Sequence, residues 1–190
     1  RAVVLCGLAG LVWLAACGDV LWQARALRRL CLQESGLRVY GQAEAAGFIG
    51  EVDLPPWAAA GFRYIEHAGN GLTREEMVGD KAVRRPVERL TAHHALRETT
   101  AWRSPVVRRI SLQMVDERAG TVLGEVVRFE LHAGGWVDRW LARRLGEPPP
   151  TVCVGPRVGP YTLFPFLEDP LIAATLRPPG QAAVRPPRRP

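Results

Sequence analysis

The chain has 190 residues, of which 47% are hydrophobic, and a formal net charge of +6. Without its apolar leader it is long enough for one domain with a hydrophobic core and too short for two. Five basic residues lie in the leader or in and beside the Pro-rich end: Arg1, Arg177, Arg185, Arg188 and Arg189. Without these five, basic and acidic residues nearly balance, which argues against a nucleic-acid-binding face.

The leader is an apolar run from Ala2 to Ala16 that ends at Cys17. Its fifteen residues match a secretory signal sequence and are fewer than the roughly 20 that span a bilayer. A lipoprotein signal peptidase requires small side chains before the cut and a thiol directly after it, and Ala15, Ala16 and Cys17 supply them. We expect residues 1–16 to be a lipoprotein signal peptide and Cys17 to be the lipidated residue. The mature chain would then face the periplasm, anchored in the bacterial cell envelope by membrane lipid.

An uncleaved transmembrane helix is the alternative interpretation of this segment. It would run from Ala2 to about Trp22 and carry Asp19 near its end, with three arginines beyond it. At about 1.5 Å per residue such a helix is long enough, and a charged residue is tolerated at a membrane interface. Both interpretations keep the rest of the chain outside the cytosol or at a membrane face, and the residues before Cys17 favour cleavage.

Apolar periodicity predicts a helix from Val20 to Gln33, in which Arg25, Arg28 and Arg29 point away from the apolar stripe. Three further elements are predicted after it: a short strand at Leu37–Gly41, a loop rich in Ala, Gly and Pro at Ala43–Ala60, and a strand at Phe62–His67.

Two segments in the middle of the chain are harder to assign. Thr73 and Glu76 fit a capping box, so we expect a short helix that Gly79 ends. The segment from Pro86 to Trp102 suits a helix or a strand, and the β character of the residues that follow favours the strand.

Alternating apolar and polar residues predict a hairpin from Ile110 to Leu131 with its turn at Asp116–Gly120. A short helix at Trp136–Leu145 follows, and a Pro- and Arg-rich tail at 177–190 is expected to be a solvated, disordered end. Residues 17–176 then form a single domain. The predicted fold class is α+β, an antiparallel sheet of four to five strands with the N-terminal amphipathic helix and the short Trp-containing helix packed on it.

The four cysteines predict one disulfide bond. Cys6 leaves with the leader and Cys17 takes the lipid, so Cys31 and Cys153 remain. In an oxidising compartment two thiols form a single bridge, and the alternative is two unpaired buried cysteines. The bridge would close a loop with 121 intervening residues and stabilise the fold by roughly 4–5 kcal/mol.

Several short segments of the chain carry a family resemblance. They are the lipobox leader, Leu30–Cys31, Glu34–Gly36, Val39–Tyr40, Val115–Asp116, Leu123–Glu125, Gly134–Trp136 and Cys153. Over residues 1–155 the chain resembles proteobacterial lipoproteins or small membrane-anchored envelope proteins of unknown function, and it departs from their pattern at Val154, where a proline is expected. The resemblance implies location and fold, and it lends no catalytic residue.

The candidate catalytic and metal-binding side chains match no reaction motif. His93 and His94 are adjacent, so they diverge on a strand or a helix and do not chelate one metal. Glu66–His67 and His132 need acids brought near by folding, and no nucleophile elbow or phosphate loop accompanies them. Four acids are candidates for a glycan-hydrolysing pair, although a helix start explains the middle two better: Asp53, Glu75, Glu76 and Asp80. We expect no catalytic residue, cofactor, metal or small-molecule substrate.

One set of residues suits a membrane interface: Trp136, Trp140, Arg139, Arg143 and Arg144. Tryptophan lies at headgroup depth and arginine contacts phosphate, so a short helix with both is typical of an interfacial segment. The alternative, which we favour, is that both tryptophans belong to the core and cover the sheet.

Three functions remain after these exclusions. The favoured one is a membrane-anchored envelope lipoprotein with a non-catalytic structural or protein-interaction role, which contacts another envelope protein. The first alternative is a single-pass membrane accessory subunit that keeps its N-terminal helix. The second is a periplasmic hydrolase, which requires His and carboxylate side chains to converge in one cleft.

Overall fold

The computed structural model of the protein describes residues 22–132, 144, 150–155, 157–160 and 168–180. The described helices are α1 over residues 22–34, α2 (Leu54–Ala59) and α3 (Glu168–Thr175), and Arg144 is also helical. None of these described helices has the length and apolar character needed to cross a membrane.

Twelve strands lie in the described residues: β1 (Gly36–Val39), β2 (Ala43–Glu44), β3 (Gly47–Ile49), β4 (Tyr64–His67), β5 (Thr73–Val78), β6 (Lys81–Pro86), β7 (His94–Trp102), β8 (Val107–Asp116), β9 (Thr121–Leu131), β10 (Thr151–Val154), β11 (Arg157–Pro160) and β12 (Leu176–Arg177). Ten of them form one sheet in the order β11-β10-β9-β8-β7-β3-β4-β5-β6, with β1 paired to β9 beside this path. Strand β3 runs parallel to β4 and to β7, whereas β4 with β5, β5 with β6, β9 with β10 and β10 with β11 are antiparallel. Strands β2 and β12 form a separate parallel pair.

Several predicted elements are confirmed. Helix α1 covers most of the predicted Val20–Gln33 helix, and β4 ends at His67 as expected. The end of the ambiguous Pro86–Trp102 segment is strand β7, and β8 and β9 form the predicted hairpin around the turn at Asp116–Gly120. The predicted helix at Trp136–Leu145 lies outside the described residues, apart from Arg144.

The predicted fold class is wrong, because the described chain is mostly β and its sheet has ten strands of mixed direction rather than four to five antiparallel ones. Part of the difference lies in Ala43–Ala60, which was expected to be loop and contains β2, β3 and α2. The second and third residues of helix α2 are prolines, Pro55 and Pro56. Prolines are tolerated there because the first N–H groups of a helix have no partner within it.

The capping-box prediction is also wrong, since Thr73–Val78 is strand β5. Arg74 lies opposite Glu66 of β4, and Glu75 lies opposite Arg84 of β6. Both pairs form ion pairs across the strands. Such cross-strand pairs stabilise a sheet, and here they outweigh the local preference for a helix start.

Strands β3 and β4 approach each other closely at Gly47. A Cβ atom at Gly47 would lie 2.3 Å from the backbone oxygen of Tyr64 and 2.6 Å from its ring. No side chain fits at that distance, so the parallel pairing of β3 with β4 requires glycine at this position.

We expect Gly47→Ala to lower the free energy of unfolding by about 2–3 kcal/mol, because backbone atoms must move apart to admit the methyl group. Gly41→Ala is the matched control, since its Cβ would meet Leu123 at an ordinary 3.5 Å and should change stability by less than about 1 kcal/mol. Urea unfolding followed by circular dichroism measures both. Equal effects of the two substitutions would contradict the close approach.

The described residues divide into two compact units. The first unit consists of the described residues within Arg1–Leu37, Glu98–Leu112 and Val126–Leu167. The second consists of those within Arg38–Arg97, Gln113–Glu125 and Glu168–Pro190. The core of the first unit is one buried cluster: Leu27, Cys31, Val107, Val127, Phe129 and Cys153. Within it Cys31 and Cys153 form the predicted disulfide bond, with their Cα atoms 6.0 Å apart.

The core of the second unit is built on three aromatic rings. Phe48 packs edge-on against Trp57 and Phe62, with ring centres 6.0 and 5.4 Å apart, and the latter two rings are 5.9 Å apart. Ile65 and Leu54 are fully buried in the same unit. This aromatic cluster explains why the Ala-, Gly- and Pro-rich segment folds, because α2 contributes Trp57 to it.

Candidate functional site

Helix α1 is the best-positioned candidate for a functional surface. Leu27 and Cys31, one turn apart, are each 1% exposed and pack in the core with Val107, Val127 and Phe129. Residues three and four apart share one side of a helix, so this packing determines which side of α1 faces inward. The opposite side of the helix is left to solvent.

The end of α1 is attached to the strand that carries the second cysteine. The Ser35 hydroxyl donates a hydrogen bond to the Cys31 carbonyl at 2.6 Å and accepts one from the Gly155 N–H at 2.7 Å. Gly155 directly follows β10 and has a φ of +59°, a left-handed conformation that favours glycine. The disulfide and the Ser35 hydroxyl together hold α1 in one orientation.

A cleft of about 620 Å³ lies between α1 and the loop that joins β7 to β8. Its walls are formed by Trp22, Gln23, Ala26, Leu30 and Glu34 of α1 and by Arg103, Ser104, Pro105, Val106 and Val107. Arg103 and Glu34 form an ion pair at 3.1 Å. The Ser104 hydroxyl accepts hydrogen bonds from the N–H groups of Val106 and Val107. Because most of the walls are apolar and the charges are paired, the cleft suits an apolar group.

A fully buried carboxylate, that of Glu66, is enclosed by donors of the second unit. It accepts hydrogen bonds from the Arg74 guanidinium, from the Thr91 hydroxyl and from the N–H groups of Thr91 and Ala92, the last two at 2.8 Å. Burial by itself raises the pKa of Glu66, but the bonds from Ala92, Arg74 and Thr91 outweigh burial and hold the pKa below its usual range. The carboxylate is ionised and structural, with its oxygens already occupied.

His67 lies between two carboxylates on the other face of β4. Its Nε2 is 3.3 Å from Glu75 and its Nδ1 is 3.5 Å from Glu51. Burial raises the pKa of Glu75. Hydrogen bonds from Arg84 and the Leu54 N–H, together with the charges of Arg84 and His67, outweigh burial and hold the pKa below its usual range. The imidazole is 3% exposed, so a substrate in solution does not reach it in this conformation.

The first unit holds a third buried carboxylate, Glu130 of β9. Arg108 donates to it through Nε at 2.9 Å and through Nη2, and Arg128 and His132 lie at 3.4 and 3.5 Å. Trp102 packs beside this group, with its ring centre 5.3 Å from that of His132. The arrangement neutralises one buried acid with several basic groups, which is a structural role.

The structure separates most of the acids and histidines singled out in the sequence. Glu75 contacts His67, whereas Glu76 pairs with Arg74 at 3.6 Å. The remaining candidates lie on different elements: Asp53 precedes α2, Asp80 is in the β5–β6 turn, and the adjacent His93 and His94 lie before and at the start of β7. Burial lowers the pKa of His94. No group of three or more His, Cys, Asp or Glu side chains in the described part of the chain is arranged to hold a metal ion.

The predicted lipidation residue and most of the predicted membrane-interface set lie outside the described residues: Cys17, Trp136, Arg139, Trp140 and Arg143. Arg144 is described and exposed. The predicted disulfide residues are the pair that the structure brings together.

Sequence reasoning missed Arg108 and Glu130, although a signal for them exists. Arg128, Glu130 and His132 alternate with apolar residues, which on a strand places all three on one face. A tight hairpin with its turn at Asp116–Gly120 then brings the Arg108 end of β8 beside them.

No family model, curated protein sequence or solved structure matches the chain. The resemblance to proteobacterial envelope lipoproteins therefore stays a prediction.

Proposed function

We propose that the protein is a membrane-anchored lipoprotein of the bacterial cell envelope with a non-catalytic, interaction-based role. The Cys31–Cys153 disulfide carries this proposal, because structural disulfides persist in oxidising compartments outside the cytosol. Cys17 follows two alanines at the end of an apolar run, which is the pattern that lipid attachment requires. With Cys6 in the leader, each cysteine then has a role, and the mature protein has no free thiol.

The buried ionisable groups support a non-catalytic role. The oxygens of Glu66 accept hydrogen bonds from Arg74 and from backbone N–H groups, and those of Glu130 accept them from Arg108. His67 contacts two carboxylates, as a hydrolase would need, but it is 3% exposed. A general base must lie within hydrogen-bond reach of a substrate proton, which the burial of His67 prevents.

Intact mass of the membrane-extracted protein tests the proposal. We expect a chain that starts at Cys17, carries a diacylglyceryl group and fatty acid, and lacks two thiol hydrogens because of the disulfide. Cys17→Ala should abolish acylation and move the protein from the membrane fraction to the soluble fraction or leave an unprocessed precursor without lipid. An intact leader without acyl groups would contradict the lipoprotein and support the single-pass alternative.

Cys6→Ala is the matched control for this experiment. Cys6 precedes the cut, so this variant should keep the acylated mass and the membrane association of the parent protein. Loss of acylation in both variants would mean that processing depends on the apolar run in general, and the assignment of Cys17 as the lipidated residue would fall.

A further inference from the structure

The outward side of α1 combines basic and apolar side chains. Trp22, which also lines the cleft, is 72% exposed and Leu32 is 64% exposed, and Arg25, Arg28 and Arg29 are exposed beside them. At 3.6 residues per turn these positions share one side of the helix, opposite the buried Leu27 and Cys31. The stripe from Trp22 to Leu32 is about 15 Å long.

This side of α1 carries positive charge, and no ion pair among the described residues offsets it. Within the described chain, Arg25, Arg28 and Arg29 form no ion pair. Glu34 is the only acidic residue of α1, and it pairs with Arg103 at the cleft on another side of the helix. Three arginines on one side of a helix attract an anionic partner.

The orientation of this surface is held by the core. The disulfide joins Cys31 to Cys153, and the Ser35 hydroxyl bonds to Gly155. Because α1 cannot roll without breaking these contacts, the arginines and the exposed tryptophan stay directed outward together. The surface is therefore preformed, which lowers the entropic cost of binding.

We propose that the outward side of α1 binds the headgroup region of an anionic phospholipid bilayer. An acidic protein would satisfy the arginines but would not account for a solvent-exposed tryptophan and leucine in the same stripe. Tryptophan lies at the membrane–water interface, leucine enters the acyl boundary and arginine pairs with lipid phosphate. Cys17 lies only five residues before Trp22, so a lipid there would hold α1 at the bilayer; this setting rests on the proposed function.

Vesicle sedimentation of the mature chain tests the inference, with residues 17–190 and Cys17→Ala so that no acyl chain contributes. The first buried residue in the described part of the chain is Leu27, so removing residues 1–16 leaves the described core intact. We expect binding to vesicles of phosphatidylcholine with about 30 mol% phosphatidylglycerol and little binding to pure phosphatidylcholine. Raising NaCl from about 0.1 to about 0.5 M should weaken it.

The triple variant Arg25→Gln, Arg28→Gln and Arg29→Gln should lower the partition coefficient at least about tenfold, since each arginine near an anionic surface contributes up to about fivefold. The matched control is Arg63→Gln, Arg85→Gln and Arg89→Gln, which changes the net charge equally at exposed arginines elsewhere. The control should bind like the parent chain, and circular dichroism verifies that both variants fold.

Trp22→Ala, which leaves the charge unchanged, should weaken binding several-fold because its ring no longer enters the interface. Equal losses in the two arginine variants, or equal binding to neutral and anionic vesicles, would overturn the assignment to α1. The protein in this experiment carries no acyl chain, so failure to bind vesicles would not count against acylation of Cys17. Conversely, vesicle binding can still be measured if the mass experiment shows that Cys17 is not acylated.

Discussion

Replacing Cys31 and Cys153 together by alanine should lower the free energy of unfolding by about 4–5 kcal/mol. The disulfide closes a loop of 121 intervening residues, and a loop of this length removes much conformational entropy from the unfolded chain. Its sulfurs lie within the buried cluster of the first unit, so the effect should appear as a loss of cooperative stability rather than as local fraying. Urea unfolding at pH 7, followed by circular dichroism, measures the change.

Reduction provides the internal control for this experiment. Dithiothreitol should lower the stability of the parent protein by a similar amount and leave that of the alanine variant unchanged. A parent protein that is unaffected by the reductant after exposure under unfolding conditions would contradict the bridge. A variant that loses less than about 1 kcal/mol would show that the bridge constrains the unfolded chain little.

Helix α1 and the disulfide were predictable because the information for both is local or countable. Leu27 and Cys31 recur at helical spacing, and that spacing alone places the thiol on the buried side. The pairing of Cys31 with Cys153 followed from counting cysteines once Cys17 was assigned to lipid. The hairpin of β8 and β9 was predictable from the alternation of apolar and polar residues on both sides of the turn that begins at Asp116. The Asp116 carboxylate accepts hydrogen bonds from two N–H groups of that turn.

The wide mixed sheet was not predictable in the same way, because its pairings join distant segments. Strand β3 has three residues and pairs with β4 on one side and β7 on the other. A segment this short carries almost no periodic signal, and its flanking glycines and prolines are typical of loops. Gly47 is an example: glycine at this position suggests a turn, but it is required because β3 approaches Tyr64 of β4 closely.

The charged residues were misassigned for a related reason. Glu75 and Glu76 suit the first turn of a helix, and only the neighbouring strands reveal that Glu75 pairs with Arg84. The basic side of α1 was visible in the sequence as three arginines turned away from the apolar stripe. The sequence did not show that Trp22 and Leu32 are exposed beside these arginines, or that the arginines form no ion pair within the described chain. Both observations come from the structure.

Glu66→Gln should lower the free energy of unfolding at pH 7 by about 3 kcal/mol. Hydrogen bonds to a charged group contribute about 1.5–3 kcal/mol, and breaking a buried ion pair costs about 3–5 kcal/mol. The Arg74 side chain is 25% exposed, so water partly solvates it and the cost falls at the lower end. The amide of glutamine also directs its own N–H groups at the donors of Arg74, Thr91 or Ala92.

Glu76→Gln is the matched control. Glu76 lies on the same face of β5 as Arg74, forms an ion pair with Arg74 at 3.6 Å, and has a side chain that is 46% exposed. A surface ion pair of this kind contributes at most about 1 kcal/mol, so the control should stay close to the parent protein. Comparable losses in both variants would contradict the role assigned to the buried carboxylate.

The effect of pH separates the lost charge of Glu66 from the altered shape. The folded pKa of Glu66 lies below its value in the unfolded chain, which is about 4.3. Its ionisation therefore adds stability that is fully present above that pH and is lost as the pH falls through the folded pKa. The gap between the parent protein and Glu66→Gln should narrow as the pH is lowered below about 4, whereas a purely steric defect would keep the gap constant. Because Glu75 is unchanged in the variant and its pKa is also lowered, both proteins should still lose stability in acid, and only their difference reports on Glu66.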